Sequence, residues 1–172
     1  VDITSVDLIK KEVVIDEYET IKAKKIVIAT GTTPNLTGAA GEKELKGKGI
    51  SYCATCDAKY FNDKEVIVIG GGNSAIEESE YISRFAGKIT IVHQFDRLTA
   101  NKQAQERVFK NPKINFLFDN EPREFIKEGD KIVTLTQNLK TGEKTKLTSD
   151  GVFIFIGMKP NVELFSNMLE LD

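Results

Sequence analysis

Two cysteines with a CxxC spacing are the residues of this sequence best suited to chemistry. Cys53 and Cys56 lie in the stretch ISYCATCDAKYF, directly before Asp57, and they are the two cysteines of the chain. Cysteines at this spacing meet in a turn or in the first turn of a helix, a setting that lowers the pKa of one thiol. A neighbouring carboxyl group can exchange a proton with a leaving thiol. The pattern favours a redox-active disulfide with Asp57 beside it.

Two other interpretations of the cysteine pair stay open at this point. A zinc site needs four ligands, typically two CxxC pairs or one CxxC with two histidines. The chain has one CxxC and a single histidine, His93, so metal binding is disfavoured and we assign no metal ligand. The second alternative is a pair of inert buried cysteines. A dinucleotide-binding motif a few residues downstream favours the redox interpretation.

That motif is a glycine-rich turn in the stretch VIVIGGGNSAIEE. Gly70, Gly72 and Ala75 form a GxGxxA pattern between a predicted strand and a predicted helix. The first glycine permits a tight turn, the second lets a pyrophosphate approach the backbone, and the alanine allows close packing of helix on strand. The helix N-terminus stabilises the negative charge. A glycine turn without a ligand is the alternative.

The segment after the second strand of such a unit sets the choice of nucleotide. An acidic residue there bonds the ribose hydroxyl of NAD, and arginines there pair with the 2′-phosphate of NADP. This chain has HQFDRLTANK, with neither an acidic residue at the strand end nor an arginine pair. Arg97 and Lys102 are candidates for a phosphate and Asp96 for a ribose, although a solvated loop explains all three equally well.

The pattern of elements predicts an α/β fold. Residues 64–96 read as strand, helix and strand, with the strands at Val66–Ile69 and Ile89–Val92. A polar helix follows in ANKQAQERVFKN, and later strands are punctuated by the hairpin turns EGDK and KTGEK. Upstream, the β-branched run KKIVIATG (residues 24–31) predicts a buried strand.

An internal echo indicates two related units. The stretches IVIATGTTPN (residues 26–35) and VFIFIGMKPN (residues 152–161) each combine an apolar strand, a glycine and a Pro-Asn pair. The first copy has no glycine-rich turn before it, and the chain begins at Val1 rather than Met. We therefore expect that the N-terminal part of a first unit lies outside this chain.

Composition excludes several classes of function. The formal net charge is −2, which provides no basic surface for nucleic acid or for an anionic membrane. No signal peptide or membrane-spanning run is visible, so we expect a cytoplasmic protein with reduced thiols.

The stretches CATCDAKYF, VIVIGGGNSAIEES and FIFIGMKPN closely resemble the low-molecular-weight, bacterial-type thioredoxin reductases. These are flavoproteins with a nicotinamide domain inserted into an FAD domain. The resemblance implies a Rossmann-like three-layer ββα domain with a parallel sheet and an antiparallel β-meander, flanked by strands of an incomplete FAD domain. By this analogy residues 1–34 end the first FAD segment, residues 35–150 form the NAD(P)-binding domain with the CxxC, and residues 151–172 start the returning FAD segment.

The resemblance also implies roles for individual residues. Cys56 would face the flavin, Cys53 would attack the disulfide of thioredoxin or a thioredoxin-like partner, and Asp57 would be the general acid–base. Implied cofactor contacts are, for the nucleotide, Gly70, Gly72, Asn73, Ser74, Ala75, Glu77, His93, Arg97 and Ile156, and, for FAD, Ala29, Thr30 and Gly31. The full-length protein would be a homodimer, and this chain alone would be inactive.

One departure from the resemblance leaves the electron donor open. NADPH-using members carry His-Arg-Arg and a further arginine where this chain has His93, Gln94, Phe95 and Thr99. Losing planar phosphate partners weakens the preference for NADPH. Both NADPH and NADH therefore stand as candidates. Alternative functions are an NADH-dependent hydroperoxide-reductase flavoprotein, a ferredoxin-fed thioredoxin reductase, and a non-catalytic module that senses redox state.

Overall fold

The computed structural model describes residues 1–165 and 167–170 of the chain. It contains two compact units. One, here the terminal unit, comprises Val1–Thr33 and Met158–Asp172; the other, here the central unit, comprises Pro34–Gly157. None of the helices in the described residues is long and apolar enough to cross a membrane.

The strands are β1 (Ile3–Asp7), β2 (Glu12–Ile15), β3 (Glu19–Lys22), β4 (Thr32–Pro34), β5 (Ile50–Ser51), β6 (Glu65–Ile69), β7 (Lys88–Val92), β8 (Ile114–Leu117), β9 (Asn120–Glu128), β10 (Lys131–Asn138), β11 (Lys144–Ser149), β12 (Gly151–Ile154) and β13 (Met158–Pro160). The α-helices are α1 (Glu42–Leu45), α2 (Ala54–Asp57), α3 (Asn73–Ile82) and α4 (Lys102–Phe109). Short 3₁₀ helices cover Ala58–Phe61 and Glu163–Phe165.

A five-stranded parallel sheet organises the central unit, in the order β5-β12-β6-β7-β8. Parallel neighbours need a crossover connection, and α3 supplies it between β6 and β7. The predicted strand–helix–strand unit is therefore confirmed. Both strands are rich in β-branched residues, as expected of strands that are buried on both faces.

The side chains of β6 alternate between two cores, so the parallel sheet lies between a helical layer that contains α3 and the layer that contains β9. Val66 and Val68 pack on one face of the sheet in a cluster that contains Ile76 of α3. Ile67 points to the other face, in a cluster with Phe125 of β9. Because successive side chains of a strand point to opposite faces, one short run serves both cores. The α/β class and the three-layer arrangement are confirmed.

The second sheet of the central unit is an antiparallel meander in the order β11-β10-β9. In its first hairpin Glu128 pairs with Lys131, which leaves Gly129 and Asp130 as a two-residue turn. Gly129 has a φ of 60°, a conformation that glycine adopts at little cost. Both predicted hairpins are present.

The predicted domain boundary between residues 150 and 151 falls inside the central unit. Strand β12 begins at Gly151 and pairs with β6 on one side and β5 on the other. The compact unit therefore continues to Gly157. Within the segment predicted as 151–172, residues 166, 171 and 172 lie outside the described residues. The assignment of the flanking segments to an FAD domain stays a prediction.

The prediction of a buried strand at residues 24–31 is wrong for this structure. These residues have no strand assignment, and Val27 is 89% exposed. A β-branched run forms a strand only when neighbouring strands satisfy its backbone groups. In the described part of the chain, no strand pairs with this run.

The two echoing stretches make equivalent hydrogen bonds. In the terminal unit the backbone N–H of Asn161 donates to the carbonyl of Gly31 at 3.0 Å. In the central unit the N–H of Asn35 donates to the carbonyl of Gly157 at 3.1 Å. In each case the asparagine of one copy bonds the glycine of the other. The glycine and the asparagine of the shared sequence pattern therefore form the same type of backbone hydrogen bond in both units.

Candidate functional site

Cys53 and Cys56 form a disulfide at the start of α2. Cys53 is the N-cap residue of this helix, and Cys56 lies within its single turn. The spacing therefore brings the sulfurs together in the way that the sequence predicted. Cys56 is exposed, whereas Cys53 is half-buried. The described residues contain no cluster of three or more His, Cys, Asp or Glu side chains able to hold a metal.

The local backbone distinguishes the two sulfurs. The N–H of Cys56 donates to Sγ of Cys53 at 3.2 Å. A hydrogen bond from a backbone amide stabilises negative charge on its acceptor. After reduction of the disulfide, this bond would favour the thiolate form at Cys53, and the thiolate is the nucleophile in disulfide exchange.

Ser51 holds the carboxyl group of Asp57 next to the disulfide. Oγ of Ser51 donates to Oδ2 of Asp57 at 2.6 Å and accepts from the N–H of Cys53 at 3.1 Å. Ser51 is buried at the end of β5, so its hydroxyl orientation is restricted. Ser51 was not among the predicted site residues, because its only signal in the sequence is its place two residues before the CxxC.

A second missed group is the buried carboxylate of Glu42, which is 1% exposed. It accepts hydrogen bonds from Oγ1 of Thr37 at 2.6 Å, from the N–H of Gly38 at 3.1 Å and from the hydroxyl of Tyr52 at 2.7 Å. Burial raises the pKa of Tyr52 well above its usual range, and the hydrogen bond to Glu42 and its charge act in the same direction. Glu42 thereby connects the residue before Cys53 to the loop at residues 37–38.

A cavity of about 660 Å³ opens at the carboxyl ends of the parallel strands. It is lined by residues 35–39, 69–74, 92–95, 99, 120–123 and 155–157. The chain leaves β6 toward β7 on one side, while β12 lies on the other side. Ligands of open α/β sheets bind in the crevice at such a switch point.

The glycine turn leaves open space beside the first amides of α3. Gly70 has a φ of 130°, and a side chain there would overlap the carbonyl oxygen of Phe155. At Gly72, in contrast, an added Cβ would meet only Oγ1 of Thr99, at 3.8 Å. Gly72 is also the N-cap of α3 and provides no side-chain cap for the first amides of the helix. Open space in front of uncapped amides fits the pyrophosphate of a dinucleotide.

Gly71, which the motif leaves unspecified, has a packing role of its own. A Cβ at this position would lie 2.5 Å from Cγ of His93. The imidazole of His93 is buried, and its Nε2 has no hydrogen-bond partner in the described structure. Burial lowers the pKa of His93, partly offset by a hydrogen bond to the backbone of Arg97. The absence of a side chain at Gly71 therefore admits a neutral histidine to the cavity wall.

The structure brings together six of the predicted nucleotide contacts. These six line the cavity: Gly70, Gly72, Asn73, Ser74, His93 and Ile156. Oδ1 of Asn73 also accepts from the N–H of Asn101, the N-cap of α4, at 2.7 Å. The side chain of Asn73 thus anchors the following helix at the cavity edge.

The remaining predicted contacts lie elsewhere. Ala75 is fully buried in the core behind the turn. Glu77 and Arg97 are exposed and do not line the cavity. The predicted FAD contacts at residues 29–31 are exposed in the terminal unit, where Oγ1 of Thr30 donates to the carbonyl of Asn161 at 2.6 Å. Their roles stay predictions.

Neighbouring glycines of the turn should respond differently to the same substitution. Gly71→Ala forces the His93 ring to move, and we expect a loss of about 1–3 kcal/mol in the free energy of unfolding. Gly72→Ala meets open space, so its free energy of unfolding should stay within about 1 kcal/mol of the parent value. Urea unfolding of the two variants measures the difference. Equal losses would contradict the assigned packing.

The chain is similar in sequence to known disulfide oxidoreductases. The chain matches the profile of the family described as "Pyridine nucleotide-disulphide oxidoreductase" over residues 1–172. It is 46% identical to thioredoxin reductase of Peptoclostridium acidaminophilum, with 99% of this chain and 56% of that protein covered. It is also 46% identical to thioredoxin reductase of Bacillus subtilis (strain 168), with 86% and 47% covered.

Among solved structures, thioredoxin reductase of Lactococcus lactis matches with a TM-score of 0.87 at 38% identity, covering 97% of this chain and 56% of that one. The chain spans about half the length of the curated relatives that it matches.

Proposed function

This chain belongs to the pyridine nucleotide-disulphide oxidoreductase family. We propose that it functions as part of a flavin-dependent thioredoxin-disulfide reductase. Proteins of this family bind FAD and a nicotinamide nucleotide. The observation that carries the proposal is one compact unit with both a cavity of about 660 Å³ at the glycine turn and a disulfide at a helix start. Its reductase relatives support the choice of activity.

In the proposed reaction the cavity holds the reduced nicotinamide nucleotide. The open face of Gly72 and the first amides of α3 bind its pyrophosphate. Gly70 and the Phe155 backbone fix the turn that carries these groups. FAD, when bound, supplies the hydride-accepting and electron-donating chemistry that no side chain of the unit can provide.

Two electrons and two protons convert the disulfide to a Cys53–Cys56 dithiol. Cys53 gives up its proton and its thiolate attacks one sulfur of the thioredoxin disulfide. That S–S bond breaks, a mixed disulfide forms, and the first thioredoxin thiolate released takes up a proton. Cys56 attacks the Cys53 sulfur, which regenerates the internal disulfide and releases the second thiolate. Asp57, held by Ser51, accepts the proton of Cys56 and passes it to the departing thiolate.

The proposal also assigns a role to the segments that flank the central unit, a partner protein and a cellular location. Residues 1–33 and 158–172, which form the terminal unit, belong to segments of an FAD domain, with Ala29, Thr30 and Gly31 at the flavin nucleotide. The physiological partner is thioredoxin or a thioredoxin-like protein, and the setting is the cytoplasm, where a reducing environment keeps exchange-active thiols reduced.

A coupled assay tests the proposal. Flavin-loaded full-length protein is mixed with a reduced nicotinamide nucleotide and oxidised thioredoxin, and thioredoxin thiols are counted with a chromogenic disulfide. We expect about two thiols per nicotinamide oxidised, and none when Cys53 and Cys56 have first been reduced and alkylated. Nicotinamide oxidation that produces hydrogen peroxide or reduces a hydroperoxide, without thioredoxin thiols, would overturn the assignment.

A further inference from the structure

The cavity wall after β7 is neutral. Its residues are His93, Gln94, Phe95 and Thr99, and this segment follows the second strand of the strand–helix–strand unit. In nucleotide-binding units of this kind, that position meets the adenosine ribose. A 2′-phosphate there is bound by guanidinium or ammonium groups, which provide charge-assisted hydrogen bonds. Here an amide, a phenyl ring and a hydroxyl take their place.

His93 does not supply the missing positive charge. Its ring is buried between Gly71, which lies in contact with it, and Phe95, whose ring centroid is 5.3 Å away. Burial lowers the pKa of His93 from an ordinary value that is already below neutral pH. The imidazole is therefore uncharged at pH 7, and it presents no cation to a phosphate.

Arg123 is the one basic residue among the described residues that line the cavity. Its guanidinium is already engaged: Nη1 pairs with Glu121 at 2.6 Å and Nε donates to Gln137 at 2.9 Å. Glu121 also lines the cavity, so the charges of the pair cancel in its wall. Arg97 and Lys102 are exposed and lie outside the lining.

We propose that this cavity selects NADH over NADPH, and that Gln94 and Phe95 determine the choice. The inference rests on the proposed function, because it names the nucleotide of the same site. A 2′-phosphate would lose hydration at this wall without gaining a charged partner. A ribose hydroxyl loses little there, since the neighbouring amide and hydroxyl groups of Gln94 and Thr99 are neutral hydrogen-bonding groups of its own kind.

Calorimetric titration of the protein with NADH and with NADPH tests the selection. We expect NADH to bind at least about tenfold more tightly, the factor that one missing hydrogen bond to a charged group represents. Gln94→Arg should raise the affinity for NADPH at least about tenfold and leave that for NADH within about threefold. The gain should shrink as salt is added.

Asn62→Arg is the matched control, because it makes the same exchange of amide for guanidinium at an exposed position before the amino end of β6. It should change neither affinity. Phe95→Arg, at a side chain that is 50% exposed, repeats the test independently should Gln94→Arg unfold.

Three outcomes would overturn the inference. NADPH binding as tight as NADH in the parent protein would do so directly. A loss of NADPH affinity in Arg123→Gln or Arg97→Ala, without a loss for NADH, would show that these residues already serve a 2′-phosphate. Failure of the folded protein to bind either nucleotide would overturn the proposed function as well, whereas equal affinities would leave that function standing.

Discussion

Replacing Cys53 with serine is expected to abolish covalent capture of oxidised thioredoxin, whereas replacing Cys56 with serine makes that capture permanent. In Cys56→Ser the Cys53 thiolate attacks, and no second thiol resolves the mixed disulfide. In Cys53→Ser the attacking sulfur is gone. The rate of capture should fall by at least about 10³-fold, as for other catalytic nucleophiles.

Capture can be measured without a flavin. The protein is reduced with a dithiol, desalted and mixed with oxidised thioredoxin, and adducts are detected by mass spectrometry. The unsubstituted protein is the control: it should release reduced thioredoxin and accumulate no adduct. A stable adduct of Cys53→Ser, together with none for Cys56→Ser, would assign the attack to Cys56.

This test separates two structural arguments that point in opposite directions. Exposure favours Cys56 as the attacking thiol, because its side chain is the more accessible of the two. The hydrogen bond from the Cys56 amide to Sγ of Cys53 favours Cys53. We expect Cys53 to attack because thiolate formation controls the reactivity of a thiol.

The second large effect concerns stability. Glu42→Ala should lower the free energy of unfolding by at least about 3 kcal/mol, because Thr37, Gly38 and Tyr52 would each lose their acceptor. Glu44→Ala is the matched control on the same helix, and at this exposed position we expect a change within about 0.5 kcal/mol. Urea unfolding compares the two variants. Similar losses would contradict the assigned network.

Tyr52 provides an independent readout of this network. The pKa of Tyr52 is raised by burial first and then by the hydrogen bond and charge of Glu42. Glu42→Gln keeps the shape of the side chain and removes its charge, so the pKa of Tyr52 should fall toward the ordinary tyrosine value. Ultraviolet titration, with Tyr52→Phe identifying the signal, would follow the shift.

Local sequence predicted the elements whose signals are continuous along the chain. The β-branched runs of β6 and β7 flank the glycine turn and α3, so the strand–helix–strand unit could be identified before the structure was known. The failure at residues 24–31 has the opposite cause. That run has the composition of a strand, but a strand also needs partners, and composition does not reveal them.

The motif residues of the candidate site could be predicted from the sequence, but the residues that hold them in place could not. The CxxC and the GxGxxA glycines carry recognised spacings. The supporting residues act through contacts with residues farther along the chain. Ser51 contacts Asp57, 6 positions away, and Glu42 contacts Tyr52, 10 positions away. Gly71 lies against His93, 22 positions away. Such contacts depend on how strands and turns are placed in space, so the spacing of residues in the sequence does not predict them.

The most direct test of the central claim counts electrons at the disulfide in a single turnover. Flavin-loaded full-length protein receives one equivalent of NADH without oxygen, is quenched with an alkylating reagent, and is digested for mass spectrometry. We expect alkylation of both Cys53 and Cys56 in step with nicotinamide oxidation. Nicotinamide oxidation that leaves the Cys53–Cys56 disulfide intact would contradict it.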